Sequence, residues 1–348
     1  MGWFAAALLA GGYFLSTSVA LCAAAVSGLA LVAAFRGLEA PSVGVIALAG
    51  LGVWTLSSAL WGADRPAAAA TLPVLYAAAL WLAEQADRRA TLGALRVTIL
   101  AVAVLALAGR GVGLAPTAAG SQRLQWPVSY ANGLGLAAAT GVVLWLGLPS
   151  RRPALARVAA AVCGLTALLT FSRTAVLGGL AALALLGVLT GRVPRRVAAA
   201  TLLLCLVAAV LFGRNLFDRF AAPAPDARNA VRLVDVSGHG RVELWRVAWR
   251  DGERHWAVGV GAGNYRGPRG VATAHSLELQ TFAELGIVGL LILGAFLVAG
   301  VLATRACPVA AAVFALWFVV SAVDWDWQLP AATLPAVVAV ATAVRRSR

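Results

Sequence analysis

The 348-residue chain is 61% apolar and 12% charged, with a mean hydropathy of +0.86 and a formal net charge of +14. A soluble globular protein carries about 25% charged residues, so this composition excludes an ordinary aqueous domain and places the chain in a bilayer. All 28 basic residues are arginine. Many stand in short connections between apolar runs, as topology signals do, which argues against a nucleic-acid partner.

A helix needs about 20 apolar residues to cross the hydrocarbon. Apolar runs fall near 3–35, 41–62, 70–83, 91–109, 130–149, 154–171, 174–190, 197–213, 276–304, 307–323 and 329–344. The first is too long for one span, and Gly11-Gly12 with Ser16-Thr17-Ser18 offers a turn, so it reads as two. The run at 70–83 is short and holds Pro73. The expected fold is an all-α polytopic membrane protein of about twelve transmembrane helices. About nine helices are expected in 1–213 and about three in 275–348, separated by one large extracytoplasmic loop, 214–274.

Arginine placement sets the orientation. Alternate connections hold Arg36; Arg88, Arg89 and Arg96; Arg151, Arg152 and Arg157; Arg192, Arg195 and Arg196; Arg305; and Arg345, Arg346 and Arg348. The opposite short connections hold only Arg65, Arg110, Arg123 and Arg173. The positive-inside rule puts the first set in the cytoplasm, with both termini, in a cytoplasmic (inner or plasma) membrane. No basic residue precedes Arg36 and no convincing cleavage site follows, so a cleaved signal peptide is not expected.

The outer segment opens with a Pro/Ala-rich stretch around Pro223 and Pro225. An amphipathic helix is predicted from Arg241 to about Trp256, with Leu244, Trp245, Ala248 and Trp249 at helical spacing. Gly259-Val260-Gly261-Ala262-Gly263 follows. It has no βαβ context or acidic partner for a dinucleotide site, and reads as a tight turn returning the chain to the membrane.

Candidate chemistry gathers on the outer side. Arg173 lies between two spans with almost no loop, where an arginine is either retained for a site or snorkels to headgroups. Arg241, at the start of the predicted helix, and Arg123 are each anion binders or solvated arginines. His275 stands at the mouth of an apolar run, where an imidazole is either a general base or an interfacial hydrogen-bonding group. Glu278 shares its helical face. Asp324-Trp325-Asp326-Trp327 offers two carboxylates for a cation or sugar hydroxyls, and two indoles for stacking or interfacial anchoring. Cys22, Cys163, Cys205 and Cys307 lack metal-ligand spacing, and His239, His255 and His275 are too dispersed for a zinc signature, so no metal or cofactor is expected.

In order along the chain, these elements resemble the O-antigen ligase and O-antigen polymerase superfamily of polytopic membrane glycosyltransferases. The matching residues are Arg123 with Val128-Ser129-Tyr130-Ala131-Asn132, then Phe171-Ser172-Arg173-Thr174-Ala175. Arg241-Val242-Glu243-Leu244-Trp245, Val258-Gly259-Val260-Gly261 and His275-Ser276 with Gly286 and Gly289 follow. The resemblance implies a metal-independent, GT-C-like fold. It implies a glycan donor on an undecaprenyl-diphosphate carrier and a glycan or lipid-glycan acceptor. In that reading His275 is the base and Arg173 and Arg241 bind the diphosphate, with Arg123, Glu278, Asp324 and Asp326 as possible supports. Ligase-type transfer stands first, repeat-unit polymerisation second, and transport of a lipid-linked sugar third. One departure concerns the carboxylate that many relatives carry at the position of Gln280, which here stands at Glu278.

Overall fold

The computed structural model describes residues 40–62, 66–113, 122–194 and 240–344, with isolated positions between 196 and 238. The expected first two spans, the run at 197–213 and the Pro/Ala-rich stretch lie outside the described residues. Within them the fold is helical, with no strand. In chain order the helices are α1 (Val43–Ser57), α2 (Pro66–Glu84), α3 (Arg88–Gly111), α4 (Ala131–Gly147), α5 (Pro153–Leu169) and α6 (Arg173–Leu189). After the outer segment come α7 (Arg241–Arg254), α8 (Leu277–Thr304), α9 (Pro308–Ser321) and α10 (Pro330–Ala341).

Local chemistry explains most of the boundaries. Ser42, Asp87, Ser172 and Ser276 each turn a side-chain oxygen to a backbone N–H in the first turn of α1, α3, α6 and α8. Pro153, Pro308 and Pro330 occupy first-turn positions of α5, α9 and α10, where a missing N–H costs nothing. The short run at 70–83 belongs to a longer helix, because α2 begins at Pro66 and continues through Pro73.

Three helical stretches, Val43–Leu60, Arg88–Gly111 and Leu277–Thr304, are long and apolar enough to cross a membrane. The others, apart from the charge-rich α7, are apolar and shorter. The innermost is α10, in which every residue from Pro330 to Ala341 is buried against neighbours that include α2, α4 and α9.

Hydrogen bonds between the connections sort them onto two ends. At one end Arg88 donates to Cys307 Sγ (2.7 Å) and Arg96 to the carbonyl of Pro149 (3.3 Å). This end collects the arginine-rich connections. At the other end lie the α5–α6 and α9–α10 connections, the first turn of α8, and α7.

Candidate active site

The first element of the site is a broken helix. Inside α8, Gly286 has φ 65° and ψ −164°, which interrupts the helical ladder. The freed backbone groups find partners from elsewhere. The carbonyls of Ala283 and Glu284 accept from Val260 N and Gly261 N (both 2.9 Å), and that of Leu285 accepts from Trp54 Nε1 (3.0 Å). Beyond the break, Ile287 N donates to the carbonyl of Trp256 (2.7 Å). The glycine-rich turn is therefore docked into the gap in α8.

Only glycine fits this crossing. A Cβ on Gly259 would lie 2.2 Å from the carbonyl carbon of Glu284, and one on Gly286 would lie 2.4 Å from that of Ala257. Both positions also have positive φ. The Glu284 side chain closes the dock by accepting from the backbone N–H groups of Gly263 and Tyr265 and from Gln280 Nε2. Gln280 Oε1 in turn accepts from Ala274 N (3.3 Å), directly before His275.

The amphipathic helix α7 lies on this platform. It ends at Arg254 and not near Trp256, and its buried face is Val242, Leu244, Ala248 and Gly252. Trp249, expected on that face, is 51% exposed and meets the Phe282 ring at a tilt at its margin, with centroids 5.5 Å apart. The face is rotated because the fully buried Tyr265 packs beneath α7 and donates its hydroxyl to the carbonyl of Leu244 (2.9 Å). Gly252 admits the Phe282 ring at close range.

Asp324 is the centre of the polar network. It is fully buried in the α9–α10 connection. Its Oδ1 accepts from the Tyr130 hydroxyl (2.8 Å) and from Trp325 N (2.9 Å). Its Oδ2 accepts from Asn132 Nδ2 (2.6 Å) and from Arg241 Nη2 (3.1 Å). Tyr130 also packs on the Trp325 ring, 4.6 Å between centroids. Asn132 Oδ1 accepts from Arg123 Nη2, whose Nε donates to the carbonyl of Thr170 (2.8 Å). A continuous chain of hydrogen bonds thus runs from the α5–α6 turn through Arg123, Asn132 and Asp324 to Arg241 at the start of α7.

The Arg241 side chain is 15% exposed, and its buried Nε has no partner among the described residues. Neither carboxyl oxygen of the fully buried Asp326 has one. Burial, and then the charge of Asp324, push the Asp326 carboxyl well above the usual carboxylate range.

His275 faces this network. Its backbone is left-handed, at φ 52°. Nδ1 lies 3.0 Å from Thr273 Oγ1 and 3.4 Å from the Thr273 carbonyl, and the His275 carbonyl accepts from Trp245 Nε1 (3.4 Å). Burial holds the imidazole below its ordinary value; the nearby Asp324 carboxylate opposes this, and Arg241 reinforces it. The ring is therefore within electrostatic reach of both members of the Arg241–Asp324 pair.

The candidate residues thus divide. Arg241, Asp324, Asp326 and His275 come together, and Arg123 is joined to them through Asn132. Arg173 opens α6 three residues after Thr170, at the same end of the bundle. Glu278 turns to Ser276 Oγ (3.2 Å), while the imidazole turns to Thr273. Sequence reasoning did not single out Thr273, and it noted Tyr130 and Asn132 only as part of a motif. Among the described residues no group of three His, Cys, Asp or Glu side chains is arranged to hold a metal ion.

A family model described as O-antigen ligase matches residues 158–294. The match runs from α5 into α8 and contains Arg173, Arg241 and His275. It supports the resemblance to the O-antigen ligase and polymerase superfamily, and with it a ligase- or polymerase-type role in glycan transfer. No curated protein matches the chain.

Proposed function

We propose that this chain is a membrane glycosyltransferase that moves a glycan from an undecaprenyl-diphosphate carrier to an acceptor hydroxyl, at the outer face of the cytoplasmic membrane. One observation carries the reading. A half-buried arginine, Arg241, whose buried Nε–H has no partner among the described residues, stands beside a half-buried imidazole, His275, at the end of the bundle away from the arginine-rich connections. The positive-inside rule makes that end extracytoplasmic.

The chemistry follows from what these groups do. The neutral imidazole of His275 takes the proton from the acceptor hydroxyl as its oxygen attacks the anomeric carbon. The bond to the diphosphate breaks, and the diphosphate leaves with the bonding pair. Guanidinium groups of Arg241 and Arg173 offset that charge, where burial weakens dielectric screening. Direct displacement inverts the anomeric centre. Asp324 orients Arg241 by one edge and leaves the Nε edge for the phosphate oxygens. Its negative charge also stabilises the imidazolium that forms.

The test uses purified protein in lipid nanodiscs with an undecaprenyl-diphosphate oligosaccharide and a lipid-glycan acceptor, with products identified by mass spectrometry. A glycan on the acceptor is the expected ligase-type product; repeat units joined on the carrier lipid identify a polymerase. His275→Ala is expected to remain membrane-inserted and to transfer nothing. Full transfer by that variant would remove His275 from the mechanism.

A further inference from the structure

Thr273 lies within hydrogen-bonding reach of the imidazole through two atoms, its hydroxyl and its carbonyl. We propose that it is a positioning residue. It holds His275 in the tautomer with hydrogen on Nδ1, leaving Nε2 as the atom that accepts the substrate proton. The inference rests on the reading of His275 as the base.

The carbonyl oxygen of Thr273, 3.4 Å from Nδ1, can only accept. A ring whose Nδ1 carried a lone pair would set that pair against the carbonyl. A ring with Nδ1–H donates toward it, and the Thr273 hydroxyl at 3.0 Å accepts from the same hydrogen. The second ring nitrogen is then left unprotonated, as a general base requires.

The segment around the ring is pinned residue by residue. Ala274 N donates to Gln280, the His275 carbonyl accepts from Trp245, and Ser276 caps α8. His275 also keeps a left-handed backbone, which only a firmly held segment sustains in a residue other than glycine. A ring on such a mount presents its nitrogens in one direction.

The charged groups facing the imidazole come from other elements. Asp324 belongs to the α9–α10 connection and Arg241 to α7. On the histidine's own side, Glu278 is engaged by Ser276. Asp324 does not hold Nδ1, because its two oxygens are occupied by Tyr130, Trp325, Asn132 and Arg241. Orientation and charge stabilisation are thereby divided between two residues. Thr273 fixes the ring, and Asp324 stabilises the cation formed once Nε2 is protonated.

The experiment compares Thr273→Val and Thr273→Ser with the native protein in nanodiscs. Valine keeps the branched shape and the carbonyl but removes the hydroxyl; serine keeps the hydroxyl. Losing one hydrogen bond to the ring is expected to lower kcat by about 3- to 10-fold in Thr273→Val, at unchanged donor KM. The acid limb of its pH profile moves to lower pH, since the imidazolium loses more than the neutral ring does. Thr273→Ser restores both.

A readout independent of turnover is the 15N spectrum of histidine-labelled protein with His239 and His255 replaced by Gln. It should show a protonated Nδ1 and an unprotonated Nε2 in the native protein, and a tautomer mixture in Thr273→Val. An Nε2–H tautomer in the native protein would overturn the proposal, as would a Thr273→Val variant with native spectrum, kcat and pH profile. Transfer surviving in His275→Ala would count against the base itself, and the spectrum separates that failure from this one.

Discussion

Replacing Asp324 by Asn keeps the volume and removes the charge, and the hydrogen-bond pattern sets the consequence. The retained oxygen can serve Tyr130 and Trp325 N at the Oδ1 position. The new amide then faces two donors, Asn132 Nδ2 and Arg241 Nη2. Asn132 cannot rotate its amide to help, because its Oδ1 already accepts from Arg123. Two hydrogen bonds to the charged carboxylate, each worth about 1.5–3 kcal/mol, are lost. The sum, roughly 3–6 kcal/mol, overlaps the range of about 3–5 kcal/mol for breaking a buried pair, and the 15% exposure of Arg241 keeps it toward the lower end. A double-mutant cycle with Arg241→Met isolates the pair. Read by thermal or denaturant unfolding in detergent, the cycle should give a coupling of about 1.5–3 kcal/mol, because each single variant already removes the one interaction between the pair and the double variant cannot remove it again. Single-variant losses that simply add, within about 0.5 kcal/mol, would show that the two side chains do not depend on each other and refute the reasoning.

Gly286→Ala places a Cβ against the Ala257 carbonyl and holds alanine in a backbone region open essentially to glycine. A loss of at least about 1–3 kcal/mol is expected, with hydrogen exchange accelerating first at Val260, Gly261 and Ile287; native protection at those amides would contradict the docking described above. Activity should follow the neutral imidazole: burial lowers the His275 value below 6.5, so the base form persists at pH 6.5 and is lost only as acidification passes the lowered value. A kcat/KM profile whose acid limb lies above 6.5 would count against this assignment. Arg173→Lys should lower transfer strongly, toward the level of Arg173→Ala, if a planar two-pronged contact to phosphate is needed; near-native turnover in the lysine variant would mean that charge alone suffices.

The helices and the alternation of arginines were legible because they are local properties. A run of apolar residues needs no knowledge of its neighbours. The role of Asp324 was not local. Its partners Tyr130 and Asn132 lie 194 and 192 residues away, so nothing in Asp-Trp-Asp-Trp separates a network centre from an interfacial anchor. The α7 face was half legible: spacing identified Leu244 and Ala248, but Tyr265, from the loop beyond, decided that Val242 and Gly252 are covered in place of Trp249. The break in α8 did leave a signal. The helix is 28 residues long, more than one crossing requires, and carries Glu284 and Gly286 within it.

The three arginines read alike in sequence, and their hydrogen bonds tell two of them apart. Arg123 spends its Nε on the Thr170 carbonyl and an Nη on Asn132, so it ties the α5–α6 turn to the start of α4. Among the described residues Arg241 is held by one Nη alone, through a carboxylate that three other donors already fix in place, and its buried Nε has no partner there. A buried donor without a partner costs about 1–3 kcal/mol. That cost is recovered when an anion arrives, and it is recovered at a guanidinium already oriented by Asp324. In the proposed mechanism Arg123 is therefore the strut and Arg241 the ligand-facing group. An Arg123→Ala change should act chiefly on stability, and Arg241→Ala on donor affinity.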